Sequence, residues 1–209
     1  MLAGAGWLAL TLGARADMIT QDQSYSGLTD WTQNLTFSQF NPQLGVLNSV
    51  TITETANVLL TSSILNTSAG TSSFSISDDF TLGSTVPSAA PLALAATLNQ
   101  AFTIPTGNTV GRTSTGATSQ GETLTSALSA WEGQGAVVLA ADANDEFSYR
   151  ITGGNNSVNL TSTAGLDATV TYNYTPVPDG PLPLWASLSG LGLVFWCAAG
   201  RRKGVPTLG

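Results

Sequence analysis

The sequence predicts an all-β domain, an antiparallel β-sandwich, followed by one membrane-spanning helix at the C-terminus. Three observations carry that reading. Short runs of Val, Ile, Phe and Tyr alternate with Thr, Ser and Asn at period two, which makes one side of each run apolar. Turn-forming residues separate the runs, as expected of a sandwich of short antiparallel strands. Finally, residues 182–200 carry no ionisable side chain except Cys197. As a helix that stretch would be roughly 28 Å long, close to the hydrocarbon thickness of a bilayer.

At the N-terminus, residues 2–13 (LAGAGWLALTLG) are apolar and run into Ala14, Arg15 and Ala16. That is the apolar region and A-x-A site of a secretory signal peptide, with cleavage expected after Ala16, although the usual positive start is missing. Residues 1–16 are therefore set apart from the fold, and residues 17–175 form the domain. The domain opens on polar, turn-prone residues up to Asp30. WTQNLTFSQF (31–40) places Leu35 and Phe37 on one side and reads as a strand. NPQLG (41–45) is a turn. Residues 50–53 and 56–65 continue as a second strand, or as one long bent one. SFSISDDFTL (73–82) alternates until Asp78 and Asp79 interrupt it, which suggests a bulge or tight bend.

The middle of the chain is less regular. Residues 90–102 (APLALAATLNQAF) suit either a short helix or an apolar strand. Residues 107–121, rich in Gly, Ser and Thr, read as a surface loop. Leu124, Leu128 and Trp131 have the spacing of one amphipathic helix turn. Strands return at 136–140, 146–152, 157–161 and 168–174. The alternation assigns Trp31, Leu35, Phe37, Val50, Ile52, Phe74, Ile76, Val170, Tyr172 and Tyr174 to the layer between two sheets. A jelly-roll or immunoglobulin-like arrangement fits that many short strands.

Charge narrows the choice of partner. Only 9% of residues are charged, against 22 Ser and 29 Thr in 209 residues. Low charge with abundant Thr, Val, Ile and Leu argues for a folded β domain rather than disorder. Between residues 17 and 180 only Arg112 and Arg150 oppose all thirteen acidic residues, a net of −11 (2 − 13). Such a surface repels nucleic acid, so no nucleic-acid partner is expected. The single cysteine lies in the apolar tail and the chain contains no histidine. That removes disulfides within the chain and the usual base of a thiol or serine nucleophile. A G-x-S-x-G elbow is absent, and the glycine-rich stretch lacks a phosphate-loop lysine.

Two acidic groupings have the composition of a site. Asp142, Asn144, Asp145 and Glu146 put four oxygen ligands within five residues, which suits a hard cation such as Ca²⁺. They lack the twelve-residue loop pattern, and a solvated acidic turn between strands is the default reading. Asp78 and Asp79, with Glu54 or Glu122, have the chemistry of a glycosidase pair, but nothing in the spacing sets their separation. Trp31 and Trp131 read as packing residues rather than a sugar-stacking platform. No cofactor and no enzymatic activity are expected.

The tail supplies the address. Val177, Pro178, Asp179, Gly180 and Pro181 lie in a proline-containing segment, 176–183. The apolar stretch 182–200 follows, and Arg201, Arg202 and Lys203 close it. Positive charge beside a span tends to stay cytoplasmic, which puts the domain on the far side of the membrane. This layout resembles the PEP-CTERM sorting tails of exosortase substrates in Gram-negative bacteria. Asp179 stands where that class usually has Glu, and Gly180 displaces the second proline by one place. A second resemblance covers most of residues 23–175. Asp30-Trp31-Thr32, FNPQLGVLNSVTIT (40–53), LSAWEGQG (128–135) and ATVTYNY (168–174) are similar to the choice-of-anchor E domain, a bacterial extracellular module. Together the two resemblances imply an exported protein, held by its C-terminal helix and then sorted by an exosortase-like enzyme. Its destination would be the cell surface or a biofilm-type matrix, with a structural or adhesive role. The alternative is a carbohydrate- or calcium-binding module, with extracellular polysaccharide as the partner.

Overall fold

The computed structural model describes residues 16–177. Among them the chain forms β1 (Asp17–Leu28), β2 (Trp31–Ser38), β3 (Gly45–Asn66), β4 (Ser72–Thr85), β5 (Leu92–Ile104) and β6 (Thr109–Leu124). A 3-10 turn (Leu128–Trp131), β7 (Ala136–Thr152) and β8 (Asn156–Pro176) complete it. The strands build two four-stranded antiparallel sheets, ordered β1-β8-β3-β6 and β2-β7-β4-β5. One core lies between them, as the alternation requires. All ten residues assigned to the inter-sheet layer are buried.

The two tyrosines enter that layer because their hydroxyls find partners. Tyr172 donates to the Ser38 carbonyl at 2.8 Å and Tyr174 to Asp17 Oδ2 at 3.2 Å. Burial pushes the Tyr172 phenol up to about 12, since its anion would be poorly solvated there.

Several expectations are corrected. Residues 17–28 are a strand, paired with β8 along their whole length. Residues 107–121 are not a loop, because β6 pairs with β3 from Thr109 to Leu124. Small side chains give β6 no hydrophobic signature, and its backbone ladder supplies the order instead. Residues 92–104 resolve as strand β5. Leu124 closes β6, so the helical turn is confined to residues 128–131. Residues 136–152 and 156–176 are each one continuous strand. Nor is there a bulge at Asp78-Asp79: β4 keeps register with β5 and β7 on its two sides, and its alternation runs through the pair. The long strand β3 is unbroken, its ladder with β8 shifting register between Leu47 and Ser49.

Most targeting features lie outside the described residues: the signal peptide up to Arg15 with Ala14, and the sorting motif from Pro178 through Asp179, Gly180 and Pro181. So do the apolar span 182–200, with Cys197, and Arg201, Arg202 and Lys203. Ala16 is exposed ahead of β1, Pro176 ends β8, and Val177 is exposed. Among the described residues no helix is long and apolar enough to cross a membrane.

Candidate functional site

Alternation along β8, and along β3 past its register shift, turns the odd-numbered residues outward, and most of these bear hydroxyls or amides. Register then lines them up across the sheet. Thr20, Thr171, Thr51 and Thr123 form one rank over β1, β8, β3 and β6. The Thr20 and Thr171 hydroxyls are 3.2 Å apart, and those of Thr51 and Thr123 are 3.0 Å apart. In the next rank Thr169 Oγ1 donates to Asp22 Oδ1 at 2.6 Å. Farther along, Asn57 Nδ2 donates to Asp167 Oδ2 at 2.9 Å.

Beside that pair the face dips into a groove of about 830 Å³, lined among others by Ser24, Ser26, Thr115 and Gly165. Gly165 keeps the groove open, because a β-carbon there would come within 3.3 Å of the Ser26 β-carbon. The lining mixes hydroxyls, the Asn57 amide and the single carboxylate of Asp167 with apolar surface from Tyr25, Val58, Leu59 and Ala117. Such a lining is chemically suited to hydrogen-bonding a polyhydroxylated ligand.

The interior holds carboxylates that hydrophobic pattern alone would exclude. Glu54 on β3 and Asp78 on β4 are both fully buried. Glu54 Oε1 accepts from the Ser84 hydroxyl at 2.5 Å, while its Oε2 has no partner. Neither oxygen of Asp78 has one. Asp145 on β7 is its diagonal neighbour, since Phe80 faces Asp145 and Asp78 faces Phe147. Asp145 accepts from the Ser162 hydroxyl of the opposite sheet, and its backbone N–H donates to Asp30 Oδ1 at 3.0 Å. Burial above all, then the charges of Asp145 and Asp79, push the Asp78 carboxyl up to about 7. Burial also raises Glu54, against the lowering effect of the Ser84 hydrogen bond. Asp78 therefore keeps its proton to near neutral pH, and it is closed off from any solute.

The two acidic groupings expected from the sequence do not assemble. Asp142, Asn144, Asp145 and Glu146 sit within strand β7, not in a turn. Pleating sends Asp142, Asn144 and Glu146 outward and Asp145 inward, so the four oxygen donors cannot converge on one cation. Asn144 Nδ2 instead donates to Asp142 Oδ2 at 2.8 Å. Among the described residues no group of three acidic or cysteine side chains is placed to hold a metal. Asp78 and Asp79 are split by the same rule, with Asp79 outward and accepting from Thr97 Oγ1 at 2.7 Å. Glu122 is half-buried on β6, opposite Ile52.

Trp31 and Trp131 are packed in the core, their indole N–H groups donating to the carbonyls of Ala164 (3.0 Å) and Pro87 (3.3 Å). The buried Glu54–Ser84 contact and the cross-sheet bond from Ser62 Oγ to Gln100 Oε1 (2.5 Å) had no counterpart in the expectations. Glu54 falls in step with Ile52 and Ala56, and Asp78 with Ile76 and Phe80, once the ladders show that the alternation runs unbroken through them.

No family model matches the chain, and no curated protein matches it. Among solved structures it is similar to infectious bursal disease virus of the Gx strain, with 12% identity over 96% of this chain and 56% of that chain, at a TM-score of 0.16. The Gt strain gives 14% identity over 95% and 53%, at a TM-score of 0.13. The parasporin-2 toxin of Bacillus thuringiensis gives 13% identity over 77% and 68%, at a TM-score of 0.18. The chain spans about half the length of the viral chains it matches. Likenesses with TM-scores this low fix neither topology nor function.

Proposed function

We propose that this chain is an exported, non-enzymatic structural or adhesive protein of the bacterial cell surface or extracellular matrix, built as a jelly roll. Its C-terminal helix holds it in the membrane until an exosortase-like enzyme processes the tail. The strand order supports the jelly-roll reading: β1-β8-β3-β6 over β2-β7-β4-β5 is the order of interleaved Greek keys. Capsid and lectin domains use that architecture without catalytic machinery.

The observation that carries the adhesive role is the outer face of β1-β8-β3-β6, a ranked lattice of Thr, Ser and Asn hydrogen-bonding groups. A strongly acidic domain is repelled by anionic polymers, whereas neutral polyhydroxyl chains meet the lattice without a charge penalty. The groove beside Asn57 and Asp167 favours the carbohydrate-binding alternative over the calcium-binding one. The acidic residues of β7 do not converge.

Co-sedimentation of the chain with insoluble neutral polysaccharide tests adhesion. Asn57→Leu and Thr51→Leu should each reduce the bound fraction, and undiminished binding by both would sink the assignment of this face. Sorting is tested separately by replacing Arg201, Arg202 and Lys203 with neutral residues in an exosortase-bearing host. Fractionation should then show lost retention and an altered mature form. Unchanged localisation and mobility would overturn the sorting role.

A further inference from the structure

Besides the outer sides of its edge strands β2 and β5, the second sheet leaves part of the inner strand β7 unpaired on one side. β2 covers β7 only at residues 136–143, where Trp31 faces Ala143, while β4 continues beside β7 to Thr152. On the β2 side, residues 144–152 have no partner strand among the described residues. Beyond Thr152 the chain turns away through Gly153 and Gly154, both at positive φ. Odd-numbered N–H groups point toward this open side, because that of Asp145 reaches Asp30 there. The inner-face aromatics of the same stretch are uncovered, with Phe147 40% and Tyr149 54% exposed. A free edge with exposed aromatics is a template for another strand, and proteins commonly block such edges with Lys, Pro or bulges. No Lys, Pro or bulge occurs between residues 144 and 152, and the one inward charge, Asp145, sits at the end of the stretch, bonded to Ser162.

We propose that the occupant is the same edge of a second copy, antiparallel about a twofold axis through Ser148. That axis lies at the midpoint of the free stretch, so both copies are matched from residue 146 to residue 150, while the Asp145 N–H keeps its bond to Asp30. Odd residues then meet odd residues, as the outward N–H groups require. Phe147 of one copy faces Tyr149 of the other in a hydrogen-bonded pair. Glu146 faces Arg150, twice by symmetry, in pairs without backbone bonds, where side chains come closest. Arg150 is one of only two positive residues between positions 17 and 180, and the axis sets it against a carboxylate. Two β2-β7-β4-β5 sheets would thereby join into one through a self-complementary contact. The inference does not rest on the adhesive reading of the other sheet.

Ser148 meets its own copy in this register, at a Cα separation of about 4.5 Å, within the range a disulfide can span. The experiment uses the full chain in detergent with Cys197→Ala, adding Ser148→Cys and a mild oxidant, read by non-reducing electrophoresis. A disulfide-linked dimer should form. Ser75→Cys, on the outer face of β4 away from the edge, should stay monomeric. Adding Glu146→Arg to Ser148→Cys should cut cross-linking at least tenfold by placing like charges opposite each other. Adding Arg150→Glu as well should restore it, which separates broken pairing from misfolding. A monomeric Ser148→Cys chain would overturn the proposal, as would equal cross-linking by Ser75→Cys. So would indifference to charge reversal or failure of the double reversal to rescue.

Discussion

The space between the sheets differs sharply along its length. Where β1 and β2 run beside it, it is lined by Phe37, Phe40, Trp131, Tyr172 and Tyr174, all buried. Phe40 lies 5.0 Å from Tyr174 by ring centroids, and Trp131 lies 6.3 Å from Tyr172. The β2–β3 and β6–β7 connections close that region, with Phe40 N–H donating to the Trp131 carbonyl at 2.8 Å and Gly133 N–H to the Phe40 carbonyl at 2.9 Å. Past Trp31, where both flanking strands have ended, Leu60, Ile64, Phe74, Ile76 and Ile104 are still buried, but the inner faces also carry Asp78 and Asp145, and on β7 the exposed Phe147 and Tyr149. On β7 itself, Leu139 and Tyr149 point the same way, yet one is fully buried and the other half exposed. Phase decides which face a side chain takes. Coverage by an edge strand decides whether that face is dry.

The largest effect should come from the closed region. Trp131→Ala removes a fully buried indole from the closing turn, and thermal melts should show a loss of about 3–5 kcal/mol. A loss below about 1 kcal/mol would mean that this region is not the anchor of the fold. Phe37→Ala or Ile52→Ala should cost about 2–5 kcal/mol by the same route.

Asp78 tests the other region through pH. Its folded value near 7 lies above the ordinary 3.8. Below about pH 4 both folded and unfolded chains hold the proton, and stability is at its full value. As pH rises from there, the unfolded chain releases its proton first, so stability falls and levels off above about pH 7. The ceiling on that fall is on the order of 4 kcal/mol, and Glu54 acts in the same direction. Denaturant titrations at pH 4.5 and 8 should record it, and Asp78→Asn should flatten it. A stability that climbs over this interval and ignores Asp78→Asn would show that the carboxyl is not buried as described.

Smaller effects sharpen the contrast. Tyr149→Ala, half exposed on the uncovered stretch, should cost about 1 kcal/mol or less in dilute solution, far below Trp131→Ala. A cost equal to that of Phe37→Ala would mean that the flank is closed. Thr51→Ala or Thr171→Ala on the outer lattice should cost about 0.5 kcal/mol or less. Losses matching Phe37→Ala would reverse the facing assigned to β3 and β8.

Sequence alone was enough for the all-β, two-sheet class and the ten residues of the inter-sheet layer, because period-two alternation translates directly into two faces. It also located the strands that carry strong apolar phase, β2, β3, β4 and the second half of β8. Residues 17–28 and 109–124 escaped it because their side chains are mostly small or polar. Their strand character comes from pairing with β8 and β3, whose partner residues lie 135 to 157 (163 − 28, 174 − 17) and 44 to 74 (109 − 65, 124 − 50) positions away in sequence. Only the tertiary structure decided that Asp78 is buried while Asp145 is half-buried, that Asp142 and Asp145 face opposite ways, and that β7 keeps a free edge at 144–152. A carboxylate in an apolar strand reads locally as an interruption, but ladders on both of its sides hold the backbone in phase and carry the side chain inward. Where β1 and β2 stop is a property of how far two sheets overlap, which no local pattern of residues encodes.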